Sequence, residues 1–236
     1  MGGWIERAAG PGGPALALSG LGLVLAFTLL TTVLHFRRLR ERMEELQAVR
    51  LYFLAFFLLL LALPCLIILL TPGRPLETLA ACGWSFGRAG LGAALALAGL
   101  PLAILAGFIG SRDRSMQKMY PFAKAACADA RTFAGYELSY FAYYYLPWES
   151  VFRGLLFLPL APAIGLVPAL AVQTIISTLL HIGHPDSEVF AAAGAGLVFG
   201  LVAYVTGSFF YPLVLHAATG ISTDTFLFVR RRKEKP

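Results

Sequence analysis

The chain alternates between apolar runs of membrane-crossing length and short segments that carry nearly all of its charge. The runs fall at 14–34, 51–70, 89–110, 136–160, 165–181, 189–205 and 209–229. About 20 residues at a helical rise of roughly 1.5 Å cover a hydrocarbon core of roughly 30 Å, so each run predicts a transmembrane helix. The expected fold class is all-α, a polytopic membrane bundle of about seven helices. Residues 71–88 are expected as a loop and 111–132 as a basic surface segment. Segment 36–50, FRRLRERMEELQAVR, is a charged, helix-favouring linker, and Pro64 is expected to kink the second span. The organisation divides at about residue 132: 1–132 as a three-span region with basic linkers, 133–236 as a four-helix catalytic-type region with a basic tail.

Composition agrees with the pattern. Hydrophobic residues make up 58% and charged residues 14% of the 236 residues, and the mean hydropathy is +0.73. A soluble domain could not hydrate that much apolar surface. The net charge of +6 sits at the flanks of apolar runs, which makes it a topology signal rather than a nucleic-acid footprint. Cys65, Cys82 and Cys127 stand in separate segments without a CxxC, so neither a disulfide framework nor a thiolate metal site is indicated. The first run is followed by basic residues, which reads as a retained span, and MGGWIE lacks the hydroxyl residue of a myristoylation motif.

Lysine and arginine outside the runs number five in 36–50, five in 111–132 and five after Val229, against one before the first run and two in 71–88. With seven spans this alternation puts the N-terminus outside and the C-terminus in the cytoplasm of a bacterial-type inner membrane. The short turn near 183–188 breaks the rule: it has no basic residue, and HIGHPDSE spends its polarity on His, Asp and Glu.

Ionisable groups within or beside the spans are Glu137, Glu149, Arg153, His181, His184, Glu188, His216 and Asp224, all in the C-terminal half. Such groups cost about 2.5–3.5 kcal/mol each at bilayer depth, so they face partners or a cavity. Glu149 and Arg153 stand one helical turn apart on one face. Gly196 and Gly200 have the spacing of close helix packing, and the tyrosines at 143–145 read as packing or interface residues. His35 is expected at the interface.

Three blocks, WESVFRG, QTIISTLLHIGHP and TGSFFYPLVLHAATG, resemble in order and spacing those of the membrane-embedded CAAX-processing and bacteriocin-processing (Abi) peptidases, over roughly 119–224. The resemblance implies one cavity in which water cuts a peptide near the membrane surface, with a membrane-anchored or lipidated peptide as partner. It implies roles for Glu149, Arg153, His181 and His216. Trp148 stands where the first glutamate of the family's leading block would be, Gly220 where Asn or Asp is preferred, and Ser177 where Phe is usual. A single-glutamate branch with W-E-x-x-F-R-G and H-x-G-x-P-x-x-E is similar, and 181–188 fits the second pattern.

Hydrolysis without a covalent intermediate needs a base for water, a donor for the oxyanion and a proton for the leaving amine. Glu149 is the expected base, His181 a sharer of that role, His216 the oxyanion donor. Asp224, two turns on, is a candidate to orient His216, and His184 and Glu188 are secondary candidates. The competing chemistry is a catalytic zinc on His181, His216 and Glu149, although no HExxH is present. The reading otherwise needs no cofactor. Two non-hydrolytic readings also stand: a scaffold or immunity-type protein with the same fold, and a transporter using the buried charges as a relay. On straight helices Glu149 and His216 would lie roughly 20 and 16 Å above the inner surface and His181 only about 5–10 Å from it, so the site requires an inner vestibule or tilted helices.

Overall fold

In the computed structural model, residues 13–233 are described; MGGWIE with the glycine-rich start, and the last three residues of the basic tail, lie outside them. The described chain is helical without a strand. Helices α1 (Gly13–Thr31), α2 (Phe36–Arg40), α3 (Glu45–Leu70), α4 (Pro75–Ala81), α5 (Ala89–Gly110) and α6 (Arg114–Met119) precede a 3-10 turn, Lys124–Ala128. They are followed by α7 (130–164), α8 (Leu166–Leu179), α9 (Asp186–Thr206) and α10 (Phe210–Lys233). Among the described residues, α3, α5, α9 and α10 are long and apolar enough to cross a membrane, and Leu18–Thr31 and α8 are shorter apolar helices. Exposed Leu97, Leu102, Ile109, Val167 and Phe190 give the bundle the apolar exterior that a bilayer would cover.

Two connecting segments differ from expectation. The loop at 71–88 contains α4, because Pro75 at the first turn is preset for helix. The basic stretch 111–132 is not all surface: Tyr120, Phe122, Ala123 and Ala126 are buried in the main core with Phe53, Tyr136, Tyr140 and Tyr145. Arg112, Arg114, Lys118 and Arg131 stay exposed while its aromatics enter the bundle, a split that charge counting cannot see. His35, expected at the interface, is an N-cap, its Nδ1 accepting from the Arg37 amide at 3.3 Å.

The proline positions govern the helix that carries the acid and base. In α7 the α-helical pieces Ala130–Tyr140, Leu146–Glu149 and Leu158–Ile164 are joined by π-helical turns at Phe141–Tyr145 and Ser150–Phe157. Each widened turn ends just before a proline, Pro147 or Pro159, and α3 repeats the device with Leu58–Ala62 before Pro64. Proline cannot donate to the carbonyl one turn back and its ring crowds that carbonyl; a wider turn absorbs both defects without breaking the rod.

Small residues let the other helices approach. Gly196 and Gly200 of α9 lie against Thr174 and against Leu170 and Gln173 of α8, as the packing reading expected. Gly107 of α5 leaves room for Thr219, Ser222 and Thr223 of α10. Against the other side of α7, α3 stacks a ladder of rings, with Phe53 on Tyr140 at 4.8 Å and Phe56 on Tyr144 at 4.4 Å. Helix α3 thus packs on the ring-bearing face of α7, where Tyr140, Tyr144 and Trp148 stand.

Candidate active site

The polar centre is built on the widened stretch of α7. Glu149 is fully buried, and its Oε1 accepts from Arg153 Nη1 at 3.2 Å and from His216 Nδ1 at 2.6 Å. The turn-apart pairing of Glu149 and Arg153 therefore holds in space, and His216 of α10 completes a three-member group. Arg153, also buried, spreads its guanidinium over the Phe199 ring of α9 at 5.5 Å, a cationic contact that offsets part of its desolvation.

His181 follows the end of α8, where Gly183 (φ 95°) and Pro185 turn the chain toward α9. Its Nδ1 lies 2.7 Å from the Ser177 carbonyl. A carbonyl can only accept, so Nδ1 carries the proton and Nε2 is left with its lone pair. By the same logic His216, donating from Nδ1 to Glu149, turns its Nε2 to whatever it faces.

Both imidazoles meet the ring of Trp148 edge-on: His181 at 5.1 Å between centroids and His216 at 6.5 Å. They line one cavity of about 140 Å³ with Trp148, Tyr145, Glu188 and Phe199. Distances taken along straight helices had separated these residues; the irregular α7 and the turn after α8 bring them together. Glu149 and Arg153 are not on the cavity wall. They stand behind His216, so the carboxylate reaches the cavity through the imidazole.

The secondary candidates divide. Glu188 lines the cavity; its Oε1 accepts from the Tyr120 hydroxyl at 2.6 Å and stands 3.1 Å from His184 Nδ1, which is also 3.0 Å from the Tyr120 oxygen. His184 thus belongs to a brace on Glu188 rather than to the cavity wall. Asp224 does not orient His216: eight residues are about 12 Å along a helix, and its side chain instead meets Glu137 of α7.

Tyr120, Tyr145 and the wall-forming role of Trp148 were not evident from sequence. Tyr120 sits in a segment marked only by its charges. Tyr145 packs its ring 4.9 Å from His216, and its hydroxyl fills the space beside Gly220, so that a Cβ at 220 would overlap it. The absence of a side chain at 220 and the tyrosine at 145 are two halves of one arrangement, legible only as a pair.

No three His, Cys, Asp or Glu side chains among the described residues converge as metal ligands. Glu149 stands behind His216 and off the cavity wall, while His181 and His216 each commit only Nδ1 to protein.

A family model described as Type II CAAX prenyl endopeptidase Rce1-like matches residues 139–221. The cavity-bearing segment is similar to that family. Its bounds enclose Glu149, Arg153, His181, Glu188 and His216, so the Rce1-like part of the chain is also the part that the irregular helix and the histidine turn assemble. The comparison agrees with the resemblance carried by the three sequence blocks. Comparison with curated proteins and with solved structures gives no significant match.

Proposed function

We infer from the Rce1-like match that the general class is an intramembrane CAAX-type endopeptidase. We propose that this chain hydrolyses a membrane-anchored or lipidated peptide on the cytoplasmic side of a bacterial-type inner membrane, by water activated between two histidines. The observation that carries this reading is the meeting of His181 and His216 on one Trp148 ring in one cavity.

His181 Nε2 takes a proton from water while the water oxygen attacks the scissile carbonyl carbon. His216, as an imidazolium paired with the Glu149 carboxylate, donates its Nε2 hydrogen to the oxygen that becomes negative. Arg153 pairs with Glu149, and Glu149 holds the His216 ring in one orientation, as a carboxylate behind an imidazole does in other hydrolases. Collapse of the tetrahedral intermediate breaks the C–N bond, and the proton on His181 passes to the leaving nitrogen. The products are a carboxylic acid and an amine. Glu188 across the cavity stabilises the positive charge that His181 acquires. In this scheme Glu149 is a positioning residue, and the base assigned to it from sequence moves to His181. Trp148, in place of a second carboxylate, is the rigid wall that sets the distance between the two imidazoles.

The test uses the purified protein in lipid nanodiscs with a library of membrane-anchored peptides. His181→Ala and His216→Ala are each expected to lower cleavage by about 10²–10⁴-fold, the usual scale for a positioned acid or base. Equal cleavage by wild type and both variants would remove the cavity from the reaction.

A further inference from the structure

The segment between α5 and α7 and the end of α10 border a second, larger and open cavity of about 870 Å³. Its wall carries Arg114, Lys118, Lys124, Arg230, Arg231 and Arg232, and no carboxylate is among the described residues that line it. The cations are not merely adjacent. Lys124 Nζ and Arg231 Nη2 both donate to the Gln117 carbonyl, at 3.3 and 3.2 Å, and Lys124 donates also to the Tyr120 carbonyl. Two like charges gathered on one neutral acceptor repel each other, and none of the described residues lining the wall is a carboxylate. Burial, then the charge of Arg231, push the Lys124 ammonium down to about 8, against the opposing influence of Asp224, Glu45 and Cys127.

We propose that this cavity binds the phosphate-bearing headgroup of an anionic phospholipid. A phosphate supplies several acceptor oxygens for converging ammonium and guanidinium groups. A lipid is favoured over a soluble anion by position: the arginines lie at the end of a helix long and apolar enough to cross a membrane. The headgroup would brace the 114–124 segment, whose Tyr120 hydroxyl reaches Glu188 in the other cavity.

Binding is measured without reference to cleavage, so its outcome is independent of the proteolytic reading. The probe is phosphatidylglycerol, titrated into phosphatidylcholine nanodiscs holding the full chain, with retained lipid counted by native mass spectrometry. Wild type is expected to retain it preferentially, with affinity highest below about pH 8 and falling above it as Lys124 loses its proton. Lys124→Gln/Arg231→Gln should weaken retention roughly 30-fold, from about 1 kcal/mol per basic residue at a membrane surface. Lys124→Arg/Arg231→Lys should keep it, which separates lost charge from lost fold. Arg74→Gln/Arg88→Gln removes equal charge outside this cavity and should leave retention unchanged. An equal loss in that control would reduce the effect to net charge and overturn the proposal. So would displacement of the lipid by inorganic phosphate at matching concentration, which would assign the cavity to a free anion.

Discussion

At the residue scale the Glu149–Arg153–His216 group separates glue from chemistry. Buried pairs resist the loss of one member far more than the loss of both. Arg153→Met alone leaves a buried carboxylate with only an imidazole partner and is expected to cost about 3–5 kcal/mol. Glu149→Leu/Arg153→Met should recover most of that stability, read by thermal unfolding in detergent, while cleavage stays lost because the His216 ring is no longer held. Full activity in the double variant would make the pair helix packing alone. Gly220 gives a second expectation. Gly220→Asn, which restores the residue type preferred in the resembled family, should destabilise by about 1–3 kcal/mol through overpacking on Tyr145, and Tyr145→Ala/Gly220→Asn should regain it; unfolding temperatures of the single and double variants check this. The ion-pair spacing was legible in the sequence because it is local. The Glu149–His216 bond spans 67 residues and was expected only through the resemblance of the sequence blocks, while the Tyr145–Gly220 fit spans 75 and leaves no trace in a linear pattern.

At the element scale the decisive feature is the widened path of α7. Runs of apolar residues marked where helices lie, and α3, α5, α9 and α10 follow those runs closely. Hydropathy could not mark the π-helical turns, because they replace one helical hydrogen-bond register by another without changing which residues are apolar. The prolines at 147 and 159 were visible, but their consequence is geometric: they rotate Glu149 and Arg153 relative to the preceding turns. Pro147→Ala should let the Phe141–Tyr145 turn relax toward regular helix, keep or raise thermal stability, and displace the site. A displacement of about 1 Å costs up to about 10²-fold in turnover. A fall in kcat with an unchanged or higher unfolding temperature is the expected signature; unchanged kcat would mean that the widened turn serves folding alone.

At the scale of the whole molecule, one-sided clustering of ionisable residues was the strongest signal in the sequence, and the cavity lies within that half of the chain. What the sequence hid is the contribution of the basic segment at 111–132, which sends Tyr120 to the histidine-lined cavity and lends Lys118 and Lys124 to the basic pocket. Charge counting reads such a segment as topology because charge dominates its composition, while one tyrosine among the basic residues carries no periodic signature. The central claim, direct attack by water held between His181 and His216, is tested most directly by single-turnover cleavage of a membrane-anchored peptide in heavy-oxygen water. The account predicts one heavy oxygen in the newly formed carboxylate, no covalent peptide–enzyme species in the intact-mass spectrum, and loss of labelled product in His181→Ala and His216→Ala. A trapped acyl-enzyme, or labelled product formed equally by both variants, would contradict it.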